Sequence, residues 1–150
     1  MDREALAKQL KLHEGLRLYP YRDTLGYWTA GYGHMLTGIY DQRTIQEWIW
    51  EGISKTQAEA WLQDDIDNAE ALARYRYLTP EQFDALSPVR QQVLVNMAFN
   101  LGNRLLKFRK LKSAILDKRW QDAHDAILDS VYAKQVKGRA NELAEMMLHG

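Results

Sequence analysis

The stretch Glu14-Gly15-Leu16-Arg17-Leu18-Tyr19-Pro20-Tyr21-Arg22-Asp23-Thr24-Leu25-Gly26-Tyr27-Trp28-Thr29-Ala30-Gly31-Tyr32-Gly33-His34 differs in kind from the rest of the chain. It holds four glycines, and Gly38 follows closely. Between them stand tyrosines, Trp28 and threonines, residues that suit a pleated, half-buried surface. β-formers punctuated by glycine predict short strands joined by tight turns.

Helix surrounds this block. Leu6 and Leu10 share a face at i,i+4, Asp2 is placed to cap and Gly15 to terminate, so residues 2–13 read as a first helix. Ile45, Trp48, Ile49 and Ile53 recur with a period near 3.6. Thr56-Gln57-Ala58-Glu59 has the form of a capping box, and no Gly or Pro interrupts the chain from there to Arg76. Such a run spans about 30 Å, enough to join two lobes. Pro80 and Pro88 sit at first helical positions. Val93, Leu94, Met97, Ala98 and Leu101 make residues 89–101 the expected buried helix, stopped by Gly102. Further helices are expected over 108–116, 120–128 and 139–148. Trp48, Trp50, Trp61 and Trp120 read as packing residues, and Trp28 as a cleft residue.

Composition narrows the function classes. The 150 residues are 46% hydrophobic and 27% charged, so a core can form. Twenty basic residues balance twenty acidic ones, which disfavours a general nucleic-acid binder. Cysteine is absent, which removes disulfides, thiolate metal sites and a Cys nucleophile. No apolar run is long enough for stable membrane insertion, and no signal-peptide core is visible at the start, so synthesis in the cytoplasm is expected. Charge is nevertheless zoned: residues 104–119 carry seven bases and one acid, Asp117. That segment would attract an anionic polymer and make activity fall with salt.

Glu14, at a helix end, and Asp23, in a turn between strands, can face each other across a cleft if the hairpin folds back. Two opposed carboxylates are the minimum for glycoside hydrolysis. An enclosed Glu14 suits the general acid and a polar-turn Asp23 the base, since burial favours the protonated form. Thr29 could hold water. On spacing alone, a helix-end Glu and an Asp–Thr turn that merely shape a loop fit as well. Gly31-Tyr32-Gly33 lacks the third glycine and following helix of a dinucleotide loop.

The full string closely resembles the phage T4-type lysozymes, the endolysins of glycoside hydrolase family 24. Their signature of Glu, eight residues, Asp, five residues and Thr is kept by Glu14, Asp23 and Thr29. Gly15-Leu16-Arg17, Thr24, Gly26-Tyr27, Gly31, Gly33 and His34 match around it, and Asn96-Met97-Ala98-Phe99-Asn100-Leu101-Gly102 and Lys118-Arg119-Trp120 extend the likeness over most of the chain.

The resemblance implies a mostly helical α+β, two-lobed lysozyme-like fold within a single domain, 1–150. Its small N-terminal β-sheet lobe is expected over about 14–58 and its long connecting helix over about 56–76. The helical C-terminal lobe would cover about 77–150 and take in the first helix, 2–13.

It further implies a monomeric peptidoglycan muramidase of a phage or prophage, acting on the bacterial wall without cofactor or metal and described for the family as inverting. Glu14 would be the acid, with Asp23 and Thr29 positioning water. Leu36, Asn100, Ser130, Tyr132 and Gln135 become saccharide contacts. His34 and Asp65 become a strand-to-helix ion pair, and Arg139 a cation near Glu14, with Arg17 a second candidate. Tyr132 stands where the family often has Trp. A non-catalytic peptidoglycan-binding domain and a lytic transglycosylase are the alternatives.

Overall fold

The computed structural model describes residues 1–150 apart from the side chains of Val131 and Gln135. The chain is α+β and mostly helical, with one three-stranded antiparallel sheet. It divides into two compact units, one of residues Glu4–Asp67 and one of Met1–Arg3 with Asn68–Gly150.

The unit of residues 4–67 holds nearly all of α1 (Arg3–Glu14), then β1 (Arg17–Arg22), β2 (Trp28–Gly31), β3 (His34–Met35), α2 (Gln42–Glu51) and most of α3 (Lys55–Ala71). The sequence reading sets the first helix with the C-terminal lobe, whereas here it groups with the sheet. Lys11 on α1 accounts for part of this: its ammonium lies 2.7 Å from Glu59 Oε1 on α3 and 5.5 Å from the centre of the Tyr32 ring. Leu6 and Leu10 are fully buried.

The strands form a meander in the order β1-β2-β3. Tyr21 pairs with Thr29 and Arg22 with Trp28, while the register slips between Arg17 and Tyr21. Pro20 lies in that slip, where its missing N–H is tolerated. Asp41 caps α2 by accepting from Thr44 N at 2.7 Å. The cap of α3 is Ser54, whose Oγ accepts from Gln57 N at 3.0 Å; Thr56 already lies inside the first turn, so the expected Thr56 box does not form. Trp48 and Trp61 pack edge to face at 5.3 Å. Trp50 is 79% exposed, against expectation, because it lies off the stripe that carries Ile45, Trp48 and Ile49.

The other unit begins inside α3. Its last turn widens into π-helix over Leu72–Tyr77, so the helical run to Arg76 is present but not uniformly α. Arg74 there reaches Asp84 Oδ1 at 3.0 Å. Thr79 and Gln82 form a reciprocal capping box on α4 (Pro80–Asp84). Ser87 caps α5 (Pro88–Leu101), of whose 14 residues nine are buried, as the wide apolar face predicts. After α5 come a 3-10 segment, Gly102–Lys107, then α6 (Arg109–Leu116), α7 (Trp120–Leu128), α8 (Val131–Gln135) and α9 (Lys137–His149).

α8 is not foreseen. Five residues are too few to display a period, and its cap, Ser130, reads equally as a loop residue. Arg90 on α5 donates to the carbonyls of Met147 and Leu148 at 2.8 and 3.0 Å, satisfying the open end of α9. The same guanidinium lies 3.6 Å from the centre of the Trp120 ring.

Candidate active site

The candidate catalytic residues Glu14, Asp23 and Thr29 all belong to the 4–67 unit. Glu14 is the last residue of α1 and is half-buried. Gly15 ends the helix with φ +68°, its N–H donating to Lys11 O at 2.9 Å. The chain therefore turns directly from the carboxyl into β1.

The β2–β3 turn closes on that carboxyl. At Gly33 a Cβ would fall 2.7 Å from Glu14 Oε2 and 3.0 Å from Cδ, so any larger residue would push the carboxyl aside. The Gly33 φ of +73° demands glycine independently.

Asp23 organises the β1–β2 turn. Its Oδ1 accepts from Leu25 N and Tyr27 N, both at 2.9 Å, while its own N–H donates to Tyr27 O. The turn-shaping role expected of an Asp here is real, and it fixes the carboxyl in one orientation. Oδ2 accepts no hydrogen bond among the described residues, so one oxygen anchors and the other stays open to water. Thr29, 5% exposed, donates its hydroxyl hydrogen to Tyr27 O at 3.1 Å, which leaves its oxygen as an acceptor.

Tyr21 links these groups, and sequence reading does not single it out. It stands directly opposite Thr29 in the ladder, so both side chains leave the same face of the sheet. Burial pushes its phenol above the ordinary range. The negative charge of Glu14 pushes the same way, the Arg17 cation opposes, and Asp23 adds a smaller push upward. The phenol thus lies within electrostatic reach of both carboxylates, with the Arg17 guanidinium 4.1 Å from its ring centre. Hairpin register was the signal that could have found it: once Asp23 and Tyr27 close the turn, position 21 faces position 29.

His34 and Asp65 meet, Nδ1 lying 2.7 Å from Oδ2. The carboxylate takes the hydrogen on Nδ1, and Nε2 lies 3.1 Å from the Tyr40 hydroxyl. The imidazole also stacks on Trp61, with ring centres 4.4 Å apart and planes 15° apart. This cluster ties β3 to α3.

The remaining candidates fare differently. Leu36 is fully buried, so its side chain offers a saccharide no surface; its N–H donates to Trp28 O. Trp28 is half-buried, with the Arg22 guanidinium 4.6 Å from its ring centre. In the 68–150 unit, Tyr132 is 3% exposed and lies edge-on to Phe108, so it packs rather than presenting an edge to a sugar. The Ser130 hydroxyl donates to Ile127 O and accepts from Ala133 N, the work of a cap. Asn100 is half-buried, one residue from the end of α5. The side chain of Gln135 lies outside the described residues. Arg139 on α9 donates from Nε and Nη2 to Asn96 Oδ1 at 3.0 and 2.8 Å, and Asn96 is fully buried on α5.

Known proteins give this geometry a context. A family model described as phage lysozyme matches residues 11–144. The chain is 26% identical to Probable T4-type lysozyme 1 of Dictyostelium discoideum, over 97% of this chain and 95% of that protein. It is 29% identical to the Pre-baseplate central spike protein Gp5 of Enterobacteria phage T4, over 97% of this chain but only 28% of that protein. It is 35% identical to an Endolysin of Acyrthosiphon pisum secondary endosymbiont phage 1, over 62% of this chain and 54% of that protein. With the family model spanning nearly all of its length, the chain belongs to the phage lysozyme family, the lysozyme class of glycoside hydrolases.

Proposed function

We propose that the protein hydrolyses the β-1,4 bond between N-acetylmuramic acid and N-acetylglucosamine in peptidoglycan. Glu14 is the general acid: its proton goes to the glycosidic oxygen as the C1–O bond breaks. Asp23, through Oδ2, and Thr29, through its oxygen lone pairs, hold a water on the other face of the sugar ring. That water's oxygen bonds to C1 and its proton passes to Asp23, completing an inversion. The phage lysozyme match over residues 11–144 supports this reading, with Glu14 seated against Gly33 and the Asp23 carboxyl fixed by Leu25 N and Tyr27 N in the hairpin that carries Thr29.

The expected setting is lysis of a bacterial host by a phage or prophage, the chain acting on the wall as a monomer. Asn100 and Gln135 remain the proposed saccharide contacts of the 68–150 unit, with Arg139 as its supporting cation. A lytic transglycosylase would need the acid but no positioned water.

Turbidity of outer-membrane-permeabilised Gram-negative cells tests the reading. The parent should clear them, and Glu14→Gln should lose at least about 100-fold in rate, in keeping with loss of a general acid. Product mass separates the chemistries: hydrolysis adds water and leaves a reducing muramic end, transglycosylation leaves a 1,6-anhydro end. No clearing by the folded parent, with binding to sacculi retained, would move the assignment to a binding domain.

A further inference from the structure

A cavity of about 620 Å³ in the 68–150 unit is not used by the chemistry above. Its lining is mostly apolar, with Phe108, Leu111, Ala126 and Tyr132 forming the floor. The Phe108 and Tyr132 rings meet edge-on there, 6.2 Å apart. Around this floor stand four cations, Arg104, Lys107, Arg109 and Lys110, against one lining acid, Asp129. Lys107, Arg109 and Lys110 make no ion pair among the described residues. Among the described residues Arg104 donates only to Leu101 O.

Arg109 and Lys110 also open α6, and Phe108, at the cap position before them, supplies no side-chain cap. Cations in a first turn add to the positive end of the helix instead of offsetting it. The arrangement is electrostatically unfavourable when empty and favourable once an anion arrives. An apolar cavity with a few convergent polar groups is the usual form of a small-molecule site.

An acidic glycan or peptide would satisfy the rim and leave the floor wetted. A neutral hydrocarbon would fill the floor and leave the rim repelling itself. We propose that this cavity binds a single-chain anionic amphiphile, its acidic head among Lys107, Arg109 and Lys110 and its hydrocarbon over the half-buried Phe108 and Ala126. Neither half of the ligand alone matches both halves of the cavity.

Calorimetric titration with sodium dodecanoate below its micellar concentration tests this. One saturable site is expected, with dodecyltrimethylammonium at least tenfold weaker. Lys107→Glu/Lys110→Glu should weaken binding at least tenfold while leaving the floor intact. Ala126→Phe should do so by filling the floor while keeping the charge. Near-UV circular dichroism verifies the fold of both variants.

Flotation with phosphatidylglycerol vesicles, competed by dodecanoate, would identify a bilayer as the source of the head group. Dodecanoate binding without flotation would identify a free acid. Absence of a saturable site, equal binding of the cationic amphiphile, or unchanged affinity in both variants would overturn the proposal. So would competition by a soluble disaccharide-peptide at lower concentration than dodecanoate, which would assign the cavity to the wall.

Discussion

Gly33 lies against the Glu14 carboxyl so closely that a Cβ at residue 33 would approach Oε2 to 2.7 Å. The proposed acid is thus seated by a glycine from another element, the turn between β2 and β3. Gly33→Ala meets two penalties at once, the positive φ of +73° and the contact with the acid. A non-glycine residue held at such a φ costs about 1–3 kcal/mol. Urea unfolding should register a loss of that order. Wall-clearing activity should fall further than stability explains, because the alanine methyl displaces the carboxyl. A Gly33→Ala protein with parental activity would show that the position of Glu14 is not critical.

Asp23 has a structural and a proposed chemical duty, and two substitutions separate them. Asn keeps an oxygen able to accept from Leu25 N and Tyr27 N, whereas Ala keeps none. Asp23→Asn should therefore melt within a few degrees of the parent yet lose most of its hydrolytic rate. Asp23→Ala should lose the rate and also about 1–2 kcal/mol, the scale of lost side-chain-to-backbone bonds. If Asn retained full rate, Asp23 would be a turn former only.

His34 is satisfied on both nitrogens and stacked on Trp61. His34→Leu removes the partner of Asp65 and of the Tyr40 hydroxyl in a site that is mostly buried. Leaving such groups unsatisfied costs about 1–3 kcal/mol. Catalytic rate per folded molecule should stay near the parent's, since the imidazole is committed to α3 and Tyr40. Chemical unfolding set beside initial rates distinguishes this from a catalytic role; a rate collapse in a stable protein would contradict it.

Much of this was legible in the residues. Glycine and aromatic punctuation marked the sheet, and apolar periodicity marked α2, α3 and α5, because both signals come from which faces are buried. The spacing of Glu14, Asp23 and Thr29 could be quoted before any coordinates. What the sequence hid depends on relations between elements. The match of Tyr21 to Thr29 is a matter of strand register, set by which residues close the β1–β2 turn. The seating of Glu14 on Gly33 needs the turn and the helix end together. Leu36 and Tyr132 enter as saccharide contacts by resemblance alone, and their burial, at 0% and 3% exposure, cannot be seen from a single position in the chain. Ser54 outcompetes Thr56 as a cap by where the helix begins, and Ser54-x-x-Gln57 and Thr56-x-x-Glu59 look alike in one dimension.

His124 gives the 68–150 unit a pH-dependent element of stability. Its Nδ1 lies 2.8 Å from Asp125 Oδ1 on its own helix, α7, and its Nε2 lies 3.1 Å from Glu145 Oε1 on α9. The other oxygen of Glu145 lies 3.2 Å from His149 Nε2. The hydrogen bond to Asp125 raises the His124 pKa above its ordinary 6.5, burial opposes, and the bond to Glu145 raises it again. A group whose pKa is higher folded than unfolded binds its proton more tightly in the folded state. Its stabilisation is complete below the unfolded value, about 6.5, and disappears as pH rises through the folded value. His124→Gln should therefore lower the melting temperature most near pH 5.5, and the gap should narrow at pH 8.5. His149→Gln, with that side chain 73% exposed, should change little at either pH. A gap for His124→Gln that stays constant between the two pH values would mean that packing, not charge, is what this imidazole contributes.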